Sequence, residues 1–138
     1  MARRTEARRV AYTDTSAFIA FLDRSDSYHA LFRRLFSEPR PLVTSSLVVA
    51  ELHGWFLRRY DARRAIDALR FIEALSPLVI VAFDADALDS SAVIVKKFQD
   101  QQLTLADAHG LTILKAHRIA ECWSTDRHLG LTGVSLAI

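Results

Sequence analysis

Four acids carry the pattern in this chain of 138 residues that most suggests chemistry: Asp14 in YTDTS, Glu51 in VVAEL, Asp107 in TLADA and Asp126 in STDRH. Each is set among apolar or hydroxyl-bearing neighbours rather than in a charged run. Gathered into one cleft, four ionised carboxylates would repel strongly, because two unit charges ~4 Å apart interact by ~4 kcal/mol at an effective dielectric of ~20. A cation between them would relieve that repulsion. An all-oxygen donor set, with no cysteine or histidine at zinc spacing, selects a hard ion, Mg²⁺ or Mn²⁺. The five histidines, His29, His53, His109, His117 and His128, are scattered and read as surface or satisfied core residues.

Taken singly, three of these acids have ordinary structural explanations. Asp107 follows Thr104 by three residues, the spacing of a capping box, and a carboxylate there also suits the helix dipole. Asp14 and Asp126 fit turn residues whose side chains bind nearby backbone amides. Glu51 is different. Helical spacing sets it beside Leu47, Val48 and Trp55, at the border of a face that must be buried, and no cation lies within a turn on its N-terminal side. Arg58 is seven residues on, within reach only of a long side chain. Asp100 in KKFQDQQ is a possible auxiliary acid and fits a solvated loop equally well.

The elements that must position these acids alternate in type. Val10–Asp14 reads as a strand, followed at once by an apolar helix over Thr15–Asp23 and a second helix over Ser25–Phe36, which Pro39 and Pro41 end. A short strand over Leu42–Thr44 leads to a helix capped by Ser45 or Ser46 and running to Tyr60. Asp61 caps the next, with Ala65, Ala68, Leu69, Ile72 and Leu75 along one face. The unbroken apolar run Leu78–Phe83 predicts a strand buried on both faces. A helix over Asp84–Phe98 follows, then one from Thr104 to His117, a strand over Ile119–Ser124 and a fifth at Val134–Ala137. Strands this far apart need crossover connections, so the class is α/β with a mainly parallel sheet between two helical layers.

In such sheets the functional crevice lies outside the carboxyl ends of the strands. Asp14 ends the first strand, and Asp126 follows the fourth by two residues. Glu51 is about two turns into the helix after the second. Asp107 reaches the same edge only if the chain reverses direction near Gln101.

Composition narrows the class further. A hydrophobic share of 51% with four glycines and three prolines predicts one packed domain with more apolar side chains than one core can hide, so a homodimer or a hydrophobic partner is expected. A formal charge of +2 is too small to identify a nucleic-acid binder by itself. The arginine pairs, such as Arg33-Arg34 and Arg58-Arg59, read as solvated helix faces more readily than as phosphate sites. Cys122 is the only cysteine and fits a buried thiol in a reducing, cytoplasmic setting. No apolar run is long enough to span a bilayer, and the start MARRTEARR has no signal-peptide core, so no membrane association is expected.

The four motifs, in this order and in a chain of this length, resemble the PIN domain, and more narrowly the toxin nucleases of VapBC-type toxin-antitoxin pairs. The likeness covers residues 10–138 and leaves residues 1–9 as a basic, flexible N-terminal tail. It implies a five-stranded parallel sheet of order 3-2-1-4-5. It also implies that Asp14, Glu51, Asp107 and Asp126 hold one or two Mg²⁺ or Mn²⁺ ions, with Ser16, Thr104 and Thr125 supporting them. The reaction so implied is hydrolysis of RNA phosphodiesters to 5′-phosphate and 3′-hydroxyl ends, and the partner so implied is a cognate antitoxin protein. The longer tail and Leu129, where an aromatic residue is common, depart from the family pattern without touching the acids.

Two other classes use similar parts. A Mg²⁺-binding phosphoacceptor domain needs an acidic pair after its first strand and an acceptor aspartate ending its third. Here Asp14 has no acidic neighbour and LVIVAF precedes Asp84. A housekeeping RNA-processing nuclease, or an inactive RNA-binding relative, would share the fold. Trp55, Phe56 and Trp123 are the aromatic candidates for base stacking. Phe32, Phe36, Trp55 and Phe56 exceed what one small core can take, and predict either an antitoxin groove between the helices that carry them or side chains that complete the core or a homodimer interface.

Overall fold

The computed structural model describes residues 9–138, so all of the basic tail but Arg9 lies outside the described residues. Strands β1 (Ala11–Thr13), β2 (Leu42–Ser45), β3 (Leu78–Val81), β4 (Glu121–Trp123) and β5 (Ser135–Leu136) make one sheet in the order β3-β2-β1-β4-β5, every neighbouring pair parallel. Helices α1 (Thr15–Leu22), α2 (His29–Phe36), α3 (Ser46–Arg59), α4 (Ala62–Ala74), α5 (Ala85–Lys97) and α6 (Leu105–Ala116) make the crossovers. The α/β class and the strand order agree with expectation.

Side chains alternate across the strands, and this alternation builds two cores. Tyr12, Val43 and Cys122 face one way, into a cluster with Leu111 and Leu114 of α6 and Ile94 of α5. Ala11, Leu42 and Trp123 face the other way, with Phe32 of α2. Beside them lies a cluster of Phe18, Leu52, Phe56 and Ile72. Helices α1 to α4 therefore cover one face of the sheet, and α5 and α6 the other. Among the described residues no helix is long and apolar enough to cross a membrane.

Three local expectations are corrected. The helix predicted from Ser25 begins only at His29, because Asp23 accepts hydrogen bonds from the Ser25 amide and hydroxyl and Asp26 accepts one from the Tyr28 amide. Such side-chain bonds hold the backbone in turns instead of a helix. The apolar run from Leu78 is the outermost strand, not a strand buried on both faces. With no neighbour beyond it, Val79 and Ile80 remain 56% and 46% exposed.

The third correction concerns the aromatic surplus, which is largely consumed inside the chain. Phe32 and Phe56 are fully buried in different clusters. Phe36 bridges those clusters, with ring centroids 5.0 Å from Trp123, 4.9 Å from Phe21 and 5.7 Å from Phe18. Two adjoining clusters on one face of the sheet take up what one would not.

Close approach of α6 to β1 sets the distance between two of the acids. A Cβ at Gly110 would lie 3.0 Å from Tyr12 Oη and 3.1 Å from its ring, and Tyr12 is fully buried and unable to retreat. Tyr12 precedes Asp14 by two residues, and Gly110 follows Asp107 by three, so this contact couples strand and helix at the site. Gly110→Val is expected to cost about 1–3 kcal/mol by overpacking, measured by chemical denaturation. Unchanged stability would show that the contact is slack.

Candidate active site

Asp14 leaves β1 in extended backbone (φ −90°, ψ 166°), and its side chain makes no capping bond to α1. Within the turn, the adjacent Thr15 amide acts on its carboxylate. That carboxylate is also held from two sides. Ser16 Oγ and Ser124 Oγ each donate to Asp14 Oδ2, at 3.2 and 3.1 Å. Those hydroxyl oxygens in turn accept the Thr125 amide at 2.9 Å and the Asp126 amide at 2.8 Å. Because the amides can only donate, both hydroxyl protons stay available for Asp14. The turn after β1 is thus stitched to the loop after β4.

Asp107 and Asp126 satisfy their structural explanations and line the cleft as well. The capping box is present: Thr104 Oγ1 accepts the Asp107 amide, and Asp107 Oδ2 accepts the Thr104 amide, both at 3.1 Å. Asp126 Oδ1 accepts the His128 amide at 2.9 Å. The reversal needed near Gln101 is a 3-10 turn, Gln99–Gln101, followed by Gln102 in the left-handed region (φ 53°). Glu51 projects from mid-α3, where Thr15 donates to its Oε1 at 2.8 Å.

All four acids, with Ser16 and Thr104, line one open cleft of about 280 Å³, joined by Thr15, Ile19, Trp55 and Arg58. Thr125 contributes its backbone amide to this region rather than its hydroxyl. Asp100 sits exposed in the 3-10 turn, outside the lining.

Two participants escape a reading of the sequence. Ser124 is a strand-end serine whose role depends on the register of β4 beside β1. Its S-x-D spacing to Asp126 was the available signal. His128 Nδ1 lies 2.9 Å from Asp126 Oδ1, and a ring nitrogen of His128 and one oxygen each of Asp107 and Asp126 lie within 4.8 Å of one another. By contrast, His109 is a satisfied core residue, buried with Nδ1 2.6 Å from Ser45 Oγ.

The electrostatics are those of an acid cluster short of positive charge. Burial pushes the Asp14 carboxyl up to about 6, and the charges of Asp107 and Asp126 add to this, while the Thr15 amide and the Ser124 hydroxyl act downward. Asp107 is raised by burial and by Asp126. Glu51 is exposed as a residue, yet partial desolvation and the charges of Asp107 and Asp126 raise its carboxyl too, against the Thr15 hydroxyl. Among the described residues, the well-formed hydrogen bonds engage one oxygen of each carboxylate: Asp14 Oδ2, Glu51 Oε1, Asp107 Oδ2 and Asp126 Oδ1. One oxygen of each remains for a ligand. Hard oxygen donors, excess negative charge and fixed orientation fit a divalent cation such as Mg²⁺ or Mn²⁺.

Residues 11–132 match the sequence model of the PIN domain. Over 115 residues the chain is 30% identical to Ribonuclease VapC26 of Mycobacterium tuberculosis (strain ATCC 25618 / H37Rv), covering 83% of this chain and 84% of that protein. Among solved structures it is similar to Mycobacterium tuberculosis VapC20, described as a Sarcin-Ricin loop cleaving toxin, with TM-score 0.81 and 20% identity over 91% of this chain and 95% of that one. It is also similar to VapBC2 from Rickettsia felis bound to a DNA fragment from their promoter, with TM-score 0.61 and 16% identity over 92% and 96%. A toxin-antitoxin complex from Klebsiella pneumoniae gives TM-score 0.61 and 19% identity over 91% and 94%. At these identities the structural matches speak for the fold.

Asp14 also yields a prediction of stability against pH. Its carboxyl rises from 3.8 to about 6 on folding, so the folded chain binds that proton more tightly than the unfolded chain. The stabilisation is fully present below 3.8 and is lost as pH rises through about 6. Two units correspond to roughly 3 kcal/mol. In chelator at pH 7.5, Asp14→Asn is expected to melt higher than the parent, with the gap reduced by about half at pH 5. A variant that melts lower at both values would contradict this electrostatic picture.

Proposed function

The chain belongs to the PIN-domain family, and on that premise we propose that it is a divalent-metal-dependent endoribonuclease, the toxin of a toxin-antitoxin pair. The observation that carries the proposal is the convergence of Asp14, Glu51, Asp107 and Asp126 on one cleft, with a free oxygen on each. The ribonuclease name of the 30% identical relative supports the activity. Complexes among the structural neighbours support an antitoxin partner. The exposed Val79 and Ile80 support a homodimer, and the buried, unpaired Cys122 suits a cytoplasmic setting.

In this proposal Asp14, Asp107 and Asp126 hold Mg²⁺ or Mn²⁺, and Glu51 is a further ligand or the acceptor of a proton. When bound, the ion lowers the pKa of a coordinated water and offsets charge on the phosphate. Ser16 and Ser124 keep Asp14 Oδ2 occupied, so its other oxygen faces the cleft. Glu51 Oε2 is free of protein donors among the described residues and, with its carboxyl raised, is suited to accept the proton of the attacking water. That water's oxygen bonds to phosphorus, the bond to the 3′ oxygen breaks, and the leaving oxygen takes up a proton. The products are 5′-phosphate and 3′-hydroxyl ends.

Purified protein is expected to cleave RNA with Mg²⁺ or Mn²⁺ and to stop in excess chelator. Asn at position 14, 107 or 126 is expected to lower kcat/KM at least about 100-fold, since several kcal/mol of charge stabilisation is lost. Ser124→Ala is expected to weaken metal affinity by about 10–100-fold, read by calorimetry. Undiminished cleavage in chelator would overturn the proposal.

A further inference from the structure

Helix α3 continues past Glu51 along the same wall of the cleft, and residues four and seven positions on, Trp55 and Arg58, share its face. We propose that Trp55 and Arg58 form a nucleotide subsite beside the acids, with Arg58 binding an RNA phosphate next to the scissile one and Trp55 stacking on a base. This inference rests on the ribonuclease reading of the cleft for its choice of ligand.

Three observations carry it. The Arg58 guanidinium lies over Gly54, its Nη1 only 3.0 Å, and its Cζ and Nη2 3.7 Å, from where a Cβ would stand. A mid-helix glycine is unfavourable for the helix, and here the missing Cβ leaves room for the end of the Arg58 side chain beside the backbone. Arg58 also has no hydrogen bond, ion pair or ring contact among the described residues, whereas Arg40 pairs with Glu121 and Arg64 lies over Tyr60. It is a free, planar hydrogen-bond donor for phosphate, lining a cleft that otherwise repels anions.

The third observation concerns the indole. Of the three aromatic candidates for stacking, Phe56 and Trp123 are sealed in the cores, leaving Trp55 as the one that lines the cleft. Its ring is held in T-shaped contacts with Phe56 at 4.9 Å and Tyr60 at 6.2 Å. A fixed indole beside an unpaired guanidinium matches the two parts of a nucleotide, a flat base and a phosphate, and suits single-stranded or unstacked RNA.

The test is fluorescence anisotropy of a labelled single-stranded RNA with the full chain carrying Asp14→Asn to block cleavage, at several salt concentrations. Arg58→Ala is expected to weaken binding and reduce the salt slope by about 0.7–0.9. Trp55→Ala is expected to weaken it roughly 5- to 20-fold, with Trp55→Phe retaining most of the affinity. Gly54→Ala keeps both side chains and displaces the guanidinium only by a few tenths of an ångström, so it should weaken binding less than Arg58→Ala while melting no lower than the parent. RNA binding should also quench indole fluorescence, and the quenching should vanish in Trp55→Phe. A folded Arg58→Ala variant binding RNA within twofold of the parent, or a parent with no RNA affinity, would overturn the subsite. If the wild type binds RNA through these residues but does not cleave it with Mg²⁺ or Mn²⁺, the ribonuclease reading fails and the subsite stands.

Discussion

Burial of the Asp14 carboxylate at the end of the central strand constrains the rest of the site. β1 lies between β2 and β4, so Asp14 is flanked on both sides by strand ends and shielded by α1 and α6, with 5% of its surface exposed. A charge in that position needs donors and a counter-ion. The donors are Ser16 and Ser124, each oriented by an amide of the loop after β4. Asp107, Asp126 and Glu51 are drawn to the same edge, and they worsen the electrostatics instead of relieving them. The fold has therefore invested rigid packing, such as Tyr12 against Gly110, in holding like charges together.

Such an arrangement makes physical sense when stability is given up for function. An apolar or amide side chain at position 14 would suit an isolated fold better. The tolerance for strain comes from two well-filled cores, one on each face of the sheet, which bury Tyr12 and Trp123 beside the site. Helix α3 carries the acid face and its proposed phosphate-binding extension on one rigid element, so Glu51 and Arg58 keep their separation by helical geometry alone.

Much of this was legible in the sequence, for stated reasons. The four acids stood out because they sat in otherwise apolar or hydroxyl-bearing sequence, with Glu51 lacking a cation within a turn on its N-terminal side, and the alternation of element types required a parallel sheet whose carboxyl edge collects them. The Thr104–Asp107 spacing correctly indicated a capping box. What stayed hidden depends on the third dimension. Whether LVIV lies inside or at the edge of the sheet is a property of strand order, not of its own composition. The delayed start of α2 arises from Asp23 and Asp26 binding local amides, a competition that periodicity does not register. Ser124 and His128 join the acids only through β4's register and the turn after it. The aromatic residues that suggested an open groove are divided between two clusters, a partition that residue counts do not reveal.

The central claim is that this acid cleft is an electrostatically frustrated site completed by a divalent cation. The most direct measurement is the melting temperature of the full chain at pH 7.5 against Mg²⁺ or Mn²⁺ concentration, beside the same titration of Asp14→Asn. A ligand that binds only the folded chain raises its stability by mass action. The wild type should gain melting temperature progressively and overtake the variant, which starts higher and gains little. A wild-type melting curve that ignores both ions while the protein remains folded would contradict the claim.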